Sequence, residues 1–318
     1  GACVPRPDGI VVSFELMAQI LEIDTENFVA VVEPGVQLHQ LDEALVPHGL
    51  VYPVFPGEYS ASLGGNVATN AGGMRAVKYG VTRHHVIGLE AVLPSGEVIQ
   101  CGGKIVKVST GYDLTQLVVG SEGTLALVTK AFLKLYPRSP HQATVLAPFT
   151  SLEAVTAAVP EIVRSGIGPL ILEYIDMLTM AAATAYVGLD LGIPESVKET
   201  AYAYLVVALE STHADRLEAD THTVAEQLAD LGAMDVYVLP PGAAKVLAMH
   251  RSFFGVHRIV RSESGTFNEL YHGTTLHGRQ RLGSGEALTY YHRTGPAGGV
   301  ISATLTGRPR NVGVIGLG

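Results

Sequence analysis

The chain of 318 residues has no tryptophan, only two cysteines, and charged residues at just 16% of its length, and each shortage removes a class of protein. Cys3 and Cys101 stand far apart and outside any Cys-x-x-Cys spacing, so neither a disulfide framework nor a cysteine zinc cluster is expected; both read as buried thiols. Basic residues are outnumbered, 21 against 30, and the formal net charge of −9 argues against general nucleic-acid binding, which needs a basic face. The acidity leaves room for a nucleotide cofactor, because backbone amides can hold phosphates without lysine or arginine. No apolar run reaches the roughly 18 to 20 residues that span a bilayer. No signal peptide is visible, although the chain does not begin with methionine, and the expected location is the cytoplasm. What is abundant is apolar surface: 47% hydrophobic residues in a chain of this length point to a globular protein of two or three domains.

The first third reads as strands punctuated by glycine and proline. Gly9-Ile-Val-Val-Ser13 is a short apolar run, and residues 28–35 form a strand closed by Pro34-Gly35. Leu38, Leu41 and Leu45 recur at helical spacing before a stop at Gly49. Strands at 86–93 and 97–101 flank the turn Pro94-Ser-Gly96, and another is expected at 124–136. The middle third changes rhythm. Thr150-Ser-Leu-Glu153 is a capping-box pattern opening a helix to about Ser165, followed by strands at 169–175 and 201–209. Thr212-His-Ala-Asp215 opens a second helix to about Leu231, and a strand at 235–239 closes the set. This repeated alternation predicts an antiparallel sheet of ferredoxin-like type with helices over it. His213 and His222 fall on that second helix and read as surface residues rather than metal ligands. From about Pro241 the texture shifts to clusters of glycine and histidine.

The stretch 56–73, PGEYSASLGGNVATNAGG, is the most informative. Its glycines are expected to exclude a packed helix or central strand and to permit close backbone approach. Backbone N–H groups with short polar side chains then make a concave donor surface for an anion or a polar ring edge. The structural alternative is a glycine-rich turn with no ligand.

Read together with Val31-Val-Glu-Pro-Gly35, Lys78-Tyr-Gly-Val-Thr82, residues 88–96, Gly111-Tyr-Asp-Leu-Thr115 and Gly120-Ser-Glu-Gly-Thr124, this stretch resembles the FAD-binding domain of the vanillyl-alcohol oxidase type of flavoprotein. It is most similar to the glycolate oxidase D subunit and the D-lactate and D-2-hydroxyglutarate dehydrogenases. Residues 139 to about 248 resemble the domain that follows, with Leu172-Glu-Tyr-Ile-Asp176 in place of its Glu-x-x-Asp strand. The resemblance implies FAD as cofactor, with Ser62, Gly64, Gly65 and Asn66 on the diphosphate and flavin edge, and Asn70, Gly72 and Gly73 lining the same molecule. It places Gly80 and Val81 nearby, and Glu122, Gly123 and Val128 on the ribityl or adenine side. Two departures are noted. The family's first diphosphate loop would precede the start of this chain, with Gly1-Ala2 resembling its last two residues, and its C-terminal His-rich motif for metal and substrate carboxylate has no match, so no metal site is expected.

Beyond about residue 250 the resemblance changes. Residues 251–258, 272–280 and 288–296 resemble the N-terminal part of a spermidine synthase-like domain. In that family the counterpart of Gln280 touches the nucleoside cofactor and those of Tyr291 and His292 frame the amine site. Arg293 stands where the family has Glu. Val312-Gly-Val-Ile-Gly-Leu-Gly318, with Gly316 and Gly318, resembles the opening of an S-adenosylmethionine fingerprint.

The expected fold is therefore α+β: a partial FAD-binding domain (1–138), a ferredoxin-like oxidase domain (139–250) and an aminopropyltransferase-like stub (251–318). The expected function is FAD-dependent oxidation of a small D-2-hydroxy acid, glycolate or D-lactate, to the 2-oxo acid. Alternatives are a nucleoside-cofactor transferase in the C-terminal part, and a non-catalytic chimera of two gene pieces. The small hydroxy acid is the one partner the residues imply; the electron acceptor and any partner subunit are not legible.

Overall fold

The computed structural model describes residues 9–187 and 191–239, and beyond these the backbone of strands within 257–289. The chain divides into two compact units, of which the smaller is Met249–Val312.

In the larger unit β1 (Ile20–Asp24) and β2 (Val29–Val32) pair antiparallel, and α1 (Leu38–Leu45) follows. Leu38, Leu41 and Leu45 are buried as their spacing predicts, and Gly49 turns the chain at φ +63°. Next come β3 (Leu50–Val51), α2 (Leu63–Thr69), α3 (Ala76–Tyr79), β4 (Val86–Val92), β5 (Val98–Gly102), α4 (Leu114–Val118), β6 (Leu127–Lys134) and β7 (Tyr136–Pro137). The sheet runs β1-β2-β6-β4-β5, every neighbouring pair antiparallel. All four residues of β2 are buried, and Ala30 and Val32 join the core of this domain. Cys101 is a buried free thiol, as expected, and Cys3 lies outside the described residues.

Two expectations fail in this domain. The apolar run at 9–13 is not a strand: Ile10 and Val11 are exposed at 90% and 62%, and the edge position beside β2 is taken by β1. Strand pairing, not local hydrophobicity, selects the edge. The glycine-rich stretch does contain a packed helix, α2, with Leu63 and Val67 fully buried. Ser62 compensates for the glycines' poor helix propensity by capping the first turn, its Oγ accepting from Gly65 N at 3.2 Å. Asn70 ends the helix in the left-handed region at φ 51°.

The second sheet is built from β8 (His141–Phe149), β9 (Ile171–Asp176), β10 (Ala203–Ser211) and β11 (Tyr237–Leu239), with α5 (Leu152–Arg164), α6 (Met177–Val187), α7 (Glu195–Thr200) and α8 (Ala214–Asp230) between them. Its order, β11-β8-β10-β9, with all pairs antiparallel, is the ferredoxin-like arrangement the alternation predicts. The cap of α5 is Ser151 rather than Thr150, its Oγ accepting from Ala154 N at 3.1 Å. On one face α5 and α8 send Val155, Ile162, Val224 and Leu228 against Val145, Phe149, Leu205 and Val207. Each such side chain, fully buried, contributes about 1.5–3 kcal/mol. The other face carries Leu146, Ile175, Tyr204 and Val206, and onto it pack Met74 and Tyr79 from the first domain. β10 is covered on both sides, which explains its unbroken apolar run from Ala203 to Leu209.

In the smaller unit β12 (His257–Arg261), β13 (Phe267–His272), β14 (Thr275–Arg281) and β15 (Ala287–Thr289) form an antiparallel sheet in sequence order. Gln280 lies in β14, whereas Tyr291, His292, Gly316 and Gly318 fall outside the described residues.

Candidate functional site

Around α2 the backbone is packed against itself. Leu63 N donates to Val36 O and Gly64 N to Pro34 O, each at 2.8 Å. A Cβ on Gly64 would lie 2.4 Å from Pro34 Cβ, and one on Gly35 would lie 2.3 Å from Phe14 O. Glycine is required at both positions by this approach. On the other side, Gly120 N and Glu122 N donate to Val67 O and Ala68 O at 2.9 Å, docking the 120–123 turn onto the end of α2. Glu122 is held at φ 52° there, a left-handed conformation that costs about 1 kcal/mol in a non-glycine residue.

These packed segments line a half-open cavity of about 290 Å³. Its walls are Phe14 and Glu15; Pro34, Gly35 and Gln37; Ser60 to Ser62, Gly64, Gly65 and Ala68; and Val118, Ser121, Gly123 and Ala126 to Val128. The N–H groups of Leu63, Gly64, Gly65 and Asn66 are all bonded within the protein, so α2 meets the cavity with its Cα surface. Glu15 is the one charged residue in the lining, and the other polar side chains there are Gln37, Ser60, Ser62 and Ser121. Flat rings and hydroxylated chains suit such walls better than a bare phosphate.

A second group lies in the segment after α2. Asn70 Oδ1 accepts from Arg83 N at 2.9 Å, and Thr82 donates to Ala71 O through N at 3.0 Å and through Oγ1 at 2.7 Å. Gly72 faces Val81, and a Cβ on Gly73 would sit 1.8 Å from Phe55 O. Gly80 turns at φ +79°. Arg75 lays its guanidinium over the Phe55 ring at 5.6 Å, and its buried Nε has no hydrogen-bond partner among the described residues. Behind this segment His85 is buried, with Nε2 2.9 Å from Tyr79 O, and the rings of Tyr52, Tyr79, His84 and Tyr136 stand edge-on around it. Burial pushes the His85 imidazole down to about 4, an effect the bond to Tyr79 O opposes and the nearby His84 and Lys134 reinforce.

Of the residues expected at the cofactor, Ser62, Gly64, Gly65, Gly123 and Val128 line the cavity, with Glu122 in the adjoining turn. Asn70, Gly72, Gly73, Gly80 and Val81 gather in the second group instead. Asn66 is fully buried with both amide atoms unpartnered, an arrangement that costs a few kcal/mol unless a water or ligand atom meets it. Sequence reasoning did not assign Ser60 and Ser121, although both lie inside motifs it had marked, nor Gln37, just beyond Gly35, nor Phe14 and Glu15, which carry no signal. His222 is exposed and pairs with Glu226 one turn on, a surface role as expected. Among the described residues no cluster of His, Cys, Asp and Glu could hold a metal, and no helix is long and apolar enough to cross a membrane.

Comparison with known proteins gives this architecture its class. Residues 1–102 match the FAD binding domain, and residues 138–269 match the C-terminal domain of FAD linked oxidases. The chain thus matches both domains of the FAD-linked oxidases, and FAD is the cofactor of the binding domain it matches. It is 58% identical over 247 residues to an uncharacterized FAD-linked oxidoreductase of Mycobacterium tuberculosis, covering 78% of this chain and 54% of that protein. It is 40% identical over 237 residues to a D-lactate dehydrogenase of Archaeoglobus fulgidus, covering 74% and 51%. With the glycolate oxidase subunit GlcD of Bacillus subtilis it shares 44% identity over 199 residues, covering 62% and 42%. The chain therefore spans about half the length of the curated relatives it matches. In fold it resembles alkyldihydroxyacetonephosphate synthase, with a TM-score of 0.61 at 18% identity over 75% of this chain and 45% of the other.

For the C-terminal part the comparisons reach less far. The oxidase-domain match runs through residue 269, past the boundary set at 250, and no match supports the spermidine synthase resemblance.

Proposed function

We propose that this chain is the cofactor-binding part of a flavin-linked dehydrogenase that oxidises a small D-2-hydroxy acid, of the glycolate or D-lactate kind, to the 2-oxo acid. The observation that carries the proposal is the cavity around α2, whose hydroxyl, amide and glycine surfaces fit the uncharged parts of FAD. Ser62, Gly64 and Gly65 would hold the cofactor from one side, Gly123 and Val128 from the other, with Asn70, Gly72 and Gly73 at the adjoining loop and Gly80 and Val81 behind them. Bound FAD supplies a hydride acceptor; orientation of the alcohol falls to the protein. Arg75 is suited to that task. It makes no ion pair among the described residues and stands beside Gly73, stacked on Phe55. A guanidinium so placed takes a carboxylate through charge-assisted hydrogen bonds. The names of the D-lactate dehydrogenase and glycolate oxidase relatives support the substrate class.

The test is an FAD titration of the whole protein, followed by quenching of flavin fluorescence, with Gly65→Val as the comparison. Gly65 has no positive φ, so the valine leaves the backbone of α2 unstrained and fills the cavity instead. Loss of FAD binding with unchanged far-ultraviolet circular dichroism is expected. Equal affinity in the two proteins would remove the cavity from the cofactor site, and failure of D-lactate and glycolate to bleach bound flavin would remove the substrate class.

A further inference from the structure

Residues 72–81 form an excursion closed at its neck and planted at its tip on the second sheet. The neck is closed by the bonds of Thr82 to Ala71 O and of Arg83 N to Asn70 Oδ1. At the tip, Lys78 Nζ and the Tyr79 hydroxyl both donate to Glu210 Oε1, at 2.9 and 2.6 Å. Glu210 belongs to β10, and its side chain is only 8% exposed. Met74 and Tyr79 add apolar contact with the core face of the same sheet. Tyr79 is also tied back to its own domain, its carbonyl accepting from His85 Nε2 at 2.9 Å. Between neck and tip there is no slack: Gly73 is pressed against Phe55 O with no room for a Cβ. A rigid segment fixed at both ends transmits displacement along its length.

We propose that residues 72–81 are a strut through which the second domain positions the Gly72–Gly73 edge of the cofactor site, and that Glu210 is its positioning residue. The inference rests on the cofactor reading above. Glu210 does not line the cavity; it acts by receiving a cation and a phenol from one turn of helix, which a buried carboxylate does with more selectivity than a surface pair. The second domain would in this way set where the flavin ring stands relative to whatever acid it brings.

The whole protein is examined as Glu210→Ala, as Glu210→Gln, and as Glu161→Ala, which breaks an unrelated exposed ion pair with Arg164. Two readouts are taken: hydrogen exchange at the amides of Thr82 and Arg83 without cofactor, and iodide quenching of bound flavin beside its dissociation constant. Glu210→Ala is expected to raise exchange at both amides about tenfold and to expose the flavin to iodide, while FAD affinity stays within about twofold. Glu210→Gln, whose amide oxygen still accepts from both donors, is expected to restore most of the protection, and Glu161→Ala to change nothing. A flavin-binding Glu210→Ala protein with unchanged exchange and quenching would overturn the strut alone. Absence of FAD binding in every version would instead defeat the cofactor reading, and the role of Glu210 with it.

Discussion

His85 should make this protein sensitive to mild acid. Its ring is 1% exposed, its Nε2 proton is committed to Tyr79 O, and its Nδ1 has no partner, so a second proton would be buried with nothing to receive it. The folded state therefore holds the imidazole neutral down to about 4, whereas the ordinary value is 6.5. Between those values the unfolded chain binds the proton and the folded chain does not, so stability falls as pH falls. The contribution is fully present above about 6.5 and fades as pH drops toward 4. The full gap corresponds to about 3 kcal/mol, of which about 2 kcal/mol is lost between pH 7 and pH 5. With a denaturant slope of about 2 kcal/mol per molar, the urea midpoint should move down by about 1 M. The chain has no tryptophan, so unfolding is followed by far-ultraviolet circular dichroism. His85→Phe isolates the effect: it leaves Tyr79 O unpaired and is less stable at pH 7, but its midpoint should fall less steeply. The stability gap between the two proteins should narrow by about 2 kcal/mol from pH 7 to pH 5, since the carboxylates titrate alike in both. A constant gap would refute the assignment.

Gly73→Ala should destabilise by about 3 kcal/mol or more, because the new methyl would lie 1.8 Å from Phe55 O and the backbone would have to move; a thermal melt gives the value, and an unchanged midpoint would mean the segment is looser than described. Ile162→Ala should cost about 2–5 kcal/mol through the cavity it leaves between α5 and the second sheet, measured by urea denaturation, with FAD affinity unaffected at the remote cavity around α2.

How much of this was legible in the sequence differed from one kind of element to another. The hairpin of β4 and β5 was, because Gly96 at φ +89° is the residue that turn demands. So was the second sheet, where α5 and α8 bury one face each and β10 is apolar throughout. The fate of residues 9–13 was not, since apolar content does not say which strand finds a partner. Nor was α2: its glycines argue against helix locally, and the burial of Leu63 and Val67 that overrides them is a tertiary fact. At the site, the motifs marked the residues but not their grouping. Ser62 and Gly72 are ten positions apart in one glycine-rich run, yet one faces the cavity and the other a separate loop pressed on Phe55 and Val81. Phe14 and Glu15 reach the cavity because Gly35 N bonds to Met17 O at 2.7 Å, a contact no local pattern announces.

The walls of the cavity come from four stretches of chain, near residues 14, 35, 62 and 123, that no short segment can bring together. The cavity accordingly does not exist in any partly formed version of this domain; it appears when the last of the four arrives. On the proposed cofactor reading, capture is coupled to completion of folding, and a ligand at a hundred times its dissociation constant adds about 2.7 kcal/mol to the finished state. The yellow colour of bound flavin would then report assembly as directly as chemistry: a chain that has not joined Pro34 to Gly64 has no such cavity to offer.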